Sequence, residues 1–328
     1  MARSHADWVA REVDGPGGGR GPGTRALLGI GILLAGFACA GPTGCGAQSG
    51  EKPELVFGQT GLGEGDFSYP RTIAVAPDGR VFVIDKAARV QRFDPEGRFE
   101  CAWRMPEWQL GKPTGLAVHR DGRLFIADTH YSRVMIYDRD GHLLDRFGTP
   151  GTGPGQFLLP TNVAIDGEGF IYVSEYGGND RISKFAPDHS YVLSFGGPDA
   201  GQAALRRPQC MDFDREQTLW VADACNHRIC RFSRDGRFLS SFGRAGGGLG
   251  ELYYPYGVRV LPDGNLIVAE YGNNRVQVLT PEGRGVRVWG SAGREPGQLA
   301  VPWSLAIGRG GRVYVVDSGN NRVQVIRL

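Results

Sequence analysis

Six carboxylates recur down the chain, each with an arginine four to six residues on: Asp85 and Arg89, Asp128 and Arg133, Glu175 and Arg181, Asp223 and Arg228, Glu270 and Arg275, Asp317 and Arg322. Two chemistries suit such a set. Six carboxylates around one axis could hold a hard cation through oxygen. A carboxylate that accepts turn N–H groups and faces a guanidinium is instead a structural latch. The tight turn between each acid and its arginine favours the latch.

Histidine and cysteine are the other reactive types. Of the histidines His5, His119, His130, His142, His189 and His227, only His130 and His227 fall between an acid and its arginine. Cys210 follows a strand-opening proline, and Cys225 stands in the turn after the next strand. Both lie at one end of an antiparallel pair, so a Cys210–Cys225 disulfide is expected. The alternative is a tetrahedral zinc site from Cys210, Cys225 and His227. Cys101 and Cys230 read as free buried thiols. No Ser-His-Asp set or glycine-rich phosphate loop stands in a suitable context.

The elements that must position these residues repeat. A proline opens each unit at Pro70, Pro113, Pro160, Pro208, Pro255 and Pro302, in steps of 43, 47, 48, 47 and 47 residues. The acids keep the same steps. Pro255–Leu279 shows the unit: alternating strands parted by the turns Pro262-Asp263-Gly264-Asn265 and Glu270-Tyr271-Gly272-Asn273-Asn274. A fourth strand ends in Phe-Gly or Trp-Gly at Phe147, Phe195, Phe242 and Trp289. Four antiparallel strands in a period in the forties describe a propeller blade.

The pattern P-x-G-[V/L]-x-V, then D-G-x-[L/V]-x-V-x-[D/E], then N-x-R-V-x-[V/F] resembles the NHL-repeat family over roughly residues 54–328. The resemblance implies an all-β, six-bladed propeller of four-stranded antiparallel blades. The sixth unit lacks a fourth strand, while Leu55-Val56-Phe57-Gly58 precedes the first as an orphan. The orphan is expected to complete the last blade and close the ring, which hides two sheet edges. The connections Gly155-Gln156-Phe157, Gly250-Glu251-Leu252 and Gly297-Gln298-Leu299 are expected to plug an apolar residue between blades.

In such a ring, the start of each first strand, the end of the second and the start of the third share one rim of the central channel. Residues after the prolines are Arg71, Thr114, Thr161, Gln209, Tyr256 and Trp303, and residues after two of the acids are Tyr176 and Tyr271. A varied rim on a repeating frame is what a binding surface needs. The expected partner is a protein, peptide or glycan, bound by a monomer without catalysis and without a cofactor. The resemblance admits an enzyme as alternative: a metal-dependent lyase of the peptidyl-α-hydroxyglycine α-amidating kind, or a lactonase, at the channel mouth. A lyase of that kind needs three channel histidines with a tyrosine and an arginine, and only His130 and His227 are placed for it.

Of 328 residues 41 % are hydrophobic and the formal net charge is +2, without the basic block of a nucleic-acid binder. No nucleic-acid partner is expected. Residues 1–25 are polar and glycine-rich, and read as disordered. Arg20 and Arg25 then precede an apolar run from Ala26 to Ala38, too short to span a bilayer and suited to export. Ala38-Cys39-Ala40 suits cleavage, and Cys45 after Thr43-Gly44 suits lipidation, although Pro42 departs from that motif. Residues 1–45 thus read as a leader, 46–53 as a tether and 54–328 as the propeller. The expected location is outside the cytoplasm, periplasmic or membrane-anchored.

Overall fold

The computed structural model describes residues 48–49 and 52–327. The leader, its cleavage triplet and Cys45 lie outside the described residues. Six four-stranded antiparallel blades follow one another around an axis. Blade one comprises Pro70–Val75, Val81–Asp85, Arg89–Phe93 and Phe99–Arg104. Blade five comprises Pro255–Val260, Leu266–Glu270, Arg275–Leu279 and Gly285–Trp289. The first strands touch one another all the way round, so they line the channel.

Burial explains the sequence of each strand. Second strands such as Val81–Asp85 and Leu266–Glu270 are covered on both faces and carry near-continuous apolar runs. The outermost strand, as in Phe99–Arg104, alternates between half-buried and exposed residues because one face meets water. The core lies in six seams between neighbouring blades. Phe157, Leu252 and Leu299 are fully buried in three of them, as the plugs require.

Blade six comprises Pro302–Ile307, Arg312–Asp317 and Arg322–Arg327, and its outer strand is Leu55–Phe57. The pairing is antiparallel, with Leu55 opposite Val325 and Phe57 opposite Val323. Phe57 then packs against Phe67 and Phe93, and Glu54 meets both Arg312 and Arg327. Gln48–Ser49, read as tether, runs parallel to the outer strand of blade five, with Gln48 opposite Val288 and Ser49 opposite Trp289. Among the described residues no helix is long and apolar enough to cross a membrane.

Candidate functional site

The rim is built by a repeated irregularity. Pro70 pairs with Asp85 and Thr72 with Ile84, so Arg71 is an extra residue in the ladder. The same bulge holds Thr161, Gln209 and Tyr256, and in blade six it takes in both Trp303 and Ser304. A bulge re-aims the side chain that it carries. The residue before the proline is also unusual: Tyr69, Arg207, Tyr254 and Val301 have φ between 44° and 58°. This left-handed backbone is strained for residues with a Cβ. A side-chain acceptor from the preceding blade fixes it in each case: Asn321 for Tyr69, Asp180 for Arg207, His227 for Tyr254 and Asn274 for Val301.

Four of the rim residues expected from the sequence come together. Tyr256 stacks on Tyr271 with ring centres 4.5 Å apart, and both meet Trp303 edge-on at 5.0 and 5.8 Å. Arg71 lies over the Trp303 ring at 5.1 Å. Tyr69 joins them, edge-on to Trp303 at 5.9 Å, with Lys86 over its own ring. Burial pushes the Tyr69 hydroxyl above its usual range, helped by Tyr271 beside it. Burial also pushes the Tyr256 hydroxyl up to about 12, against the pull of Arg207. Arg207 bridges Tyr256 to Tyr176. Sequence reasoning missed Tyr69 and Arg207. The signal was available: both directly precede a strand-opening proline.

The other arc of the rim is built differently. Thr114 and Thr161 are buried, and each hydroxyl bonds the next blade's backbone, at Thr161 O (3.0 Å) and Pro208 O (2.8 Å). These hydroxyls hold blades together and offer nothing to a ligand. Gln209 is buried too.

The acids form latches. Glu270 accepts from the Tyr253 backbone, Asn273, Arg275 Nε and Gln277. Arg275 spends its remaining donors on the carbonyls of Gly247, Gly248 and Glu251. Asp85 with Arg89, Asp223 with Arg228 and Asp317 with Arg322 repeat the scheme, as do Glu175 and Arg181. Their oxygens are occupied, which leaves little to coordinate a cation. Asp128 is the exception. Arg133 holds one oxygen at 2.9 Å, but Oδ1 is buried and unpaired. Burial raises its pKa to about 6, more than Arg133 lowers it.

Cys210 and Cys225 are free thiols, so the expected disulfide is not formed. The bulge at Gln209 explains this: Cys210 faces blade five, with its sulfur 2.7 Å from Arg259 Nη1, while Cys225 stays in the turn. Among the described residues no three His, Cys, Asp or Glu side chains form a metal-holding group. His227 and His130 each accept a backbone N–H at Nδ1, from Tyr254 and Lys112. Burial and Arg206 hold the His227 imidazole below its usual range.

A cavity of about 450 Å³ opens at the other end of the channel. Apolar residues such as Leu116, Val163 and Met211 line it, together with the charged side chains of Asp212, Asp214, Arg215 and Arg259. Burial raises the Asp212 carboxyl, opposed by Arg259. Its walls are mostly alike from blade to blade. The distinctive chemistry lies at the proline-side mouth.

Comparison with known proteins agrees with this architecture. Residues 205–232, 252–279 and 299–326 match the family described as NHL repeat, and residues 107–183 match one described as 6-bladed beta-propeller. NHL repeat-containing protein 3 of Mus musculus is 30 % identical over 175 residues, 47 % of this chain and 50 % of that protein. Peptidylglycine alpha-amidating monooxygenase of Rattus norvegicus is 31 % identical over 97 residues, 28 % of this chain and 10 % of that protein. The matched stretch thus spans half or less of these relatives. The solved structure of a streptogramin B lyase superposes with a TM-score of 0.61 at 17 % identity, covering 81 % of this chain and 95 % of that one. At that identity the likeness is one of fold.

Proposed function

Because this chain is a six-bladed β-propeller built of NHL repeats, we propose that it works as a non-catalytic binding scaffold. Its proline-side mouth holds a protein, peptide or glycan partner. One observation carries the reading: Tyr69, Tyr271 and Trp303 converge from blades one, five and six, in mutual contact yet only half-buried. Large aromatic side chains left part-open at a channel mouth are the residue types that anchor ligands. The protein acts outside the cytoplasm as a monomer, either soluble or tethered through Cys45. Nucleic acid is not its partner, because the net charge is small and the arginines follow the blade period.

Peptide and glycan arrays probed with the full chain test this. Binding should be lost in Tyr271→Ala and Trp303→Ala while both variants keep a cooperative melt. Array binding unchanged in both would overturn the reading.

The second reading is a metal-dependent lyase or lactonase at a channel mouth. The stretch shared with the rat monooxygenase favours it. It predicts stoichiometric zinc or calcium in the purified protein, removed by chelation together with a measurable turnover. Metal analysis therefore separates the two readings.

A further inference from the structure

Among the described residues, the guanidinium of Arg71 has no counter-ion. Arg71 is 4 % exposed, and its Nε and Nη1 have no hydrogen-bond partner. Its guanidinium lies over the Trp303 ring. A cation over an aromatic face recovers only a fraction of the cost of taking a charge out of water. Buried charges are ordinarily paired.

No acid nearby is free to do so. Asp85 is already held by Arg89 and by the backbone N–H groups of Ser68 and Ala87. Several cations reach this sector as well. Lys112 is held below its usual range by burial and by Arg104, Arg71 and Lys86, with Asp85 opposing. A buried, unpaired guanidinium in a positive surround is complete only when an anion arrives from outside.

The surroundings narrow the class of anion. Arg71 stands on the channel-lining strand of blade one, so the end of a ligand reaches it and the middle of a polymer does not. The neighbouring surface consists of the half-buried rings of Tyr69, Tyr271 and Trp303. We infer that the proline-side mouth binds a ring-bearing carboxylate, its acid group paired with Arg71 and its ring set against Trp303 and its tyrosine neighbours. Guanidinium and carboxylate match in geometry. Lys86, Lys112 and Arg104 steer the ligand in. This rests on the binding reading of the mouth and names what is bound there.

The test uses the full chain, thermal unfolding and tryptophan emission. The probes are phenylacetate for aryl acids and glucuronate for sugar acids, with benzamide and sulfate as controls at matched ionic strength. One of the two carboxylates should raise the melting temperature saturably and change the emission, and which one does so identifies the source. Benzamide and sulfate should do neither. Arg71→Met should weaken carboxylate binding at least about tenfold and raise the melting temperature of the unliganded protein. Arg71→Gln, which keeps donors without charge, should show the same loss of affinity. No response to either carboxylate would overturn the inference, as would an equal response to sulfate or undiminished affinity in Arg71→Met. If both variants fail to fold, Arg71 serves the fold alone and the inference is equally overturned. Array binding that depends on Tyr271 but not on Arg71 would remove this inference and leave the scaffold reading standing.

Discussion

Asn321 Oδ1 accepts the backbone N–H of Tyr69 at 2.6 Å, joining the last blade to the first. Asn274 makes the same bond to Val301 at 2.7 Å, and His227 to Tyr254 at 3.1 Å. Both residues of each pair have left-handed backbone. Asn321→Ala therefore loses a bond to a part-buried N–H and puts a poor residue at φ 55°. The expected cost is about 2–3 kcal/mol by urea denaturation. Asn321→Gly should recover about 1 kcal/mol of that. Equal losses for the two variants would show that backbone strain plays no part.

Ring closure rests on a short strand. Phe57 is 9 % exposed against Phe67 and Phe93, whereas Val56 faces outward. Phe57→Ala should cost about 3–5 kcal/mol, and Val56→Ala less than about 0.5 kcal/mol. Deleting residues 54–58 should lower the melting temperature and, by baring the edge at Val323–Val325, produce larger species in light scattering. A deletion variant that stays monomeric with an unchanged melt would refute this account of closure.

Asp128 gives stability a pH dependence with a definite sign. Its folded pKa of about 6 lies above the ordinary 3.8. The folded state thus holds the proton longer than the unfolded one. This contribution is full below about pH 4 and is lost as pH rises through 6. Asp128→Asn should remove the dependence and stabilise the protein at pH 7 by about 1–3 kcal/mol, because Arg133 keeps Glu107 as a partner. Difference melts between pH 4.5 and 7.5 measure it. A variant less stable than wild type at pH 7.5 contradicts the assignment.

The buried latches should matter far more than surface pairs. Arg275→Met leaves buried Glu270 without its counter-charge, held only by neutral donors, and should cost about 3–5 kcal/mol. Arg244 also pairs with an acid, Glu251, but is largely solvated, so Arg244→Met should change the melt little. Comparable effects from the two substitutions would undo the distinction.

The four described cysteines are thiols. Unfolding without reductant followed by alkylation should label Cys101, Cys210, Cys225 and Cys230. In the native protein, half-buried Cys225 should react before buried Cys210 and Cys230, slowly at neutral pH because burial raises its pKa. Intact-mass spectrometry reads both. A Cys210–Cys225 cross-link would require Cys210 to turn away from Arg259.

Much of the ring was legible in the residues themselves. A period carried by proline, acid and arginine specifies the blades, because each marker serves one joint of the unit. The orphan strand and the plugs Phe157, Leu252 and Leu299 were readable because they answer local needs: an unpaired edge and a gap between sheets. The latches were readable for the same reason, since each acid and its arginine share one turn.

Only the tertiary structure decided which rim residues meet. Arg71 and Trp303 stand near opposite ends of the repeat region, and ring closure alone puts the guanidinium over the ring. Thr114 and Thr161 occupy positions equivalent to Tyr256, yet their short hydroxyls reach a neighbouring carbonyl and are spent there. Strand order places Cys210 and Cys225 at one end of their blade, but the extra residue at Gln209 shifts the register at Cys210. A one-residue shift in a strand moves a side chain to the other face. Period therefore dictates the frame, while bulges and closure dictate the chemistry of its mouth.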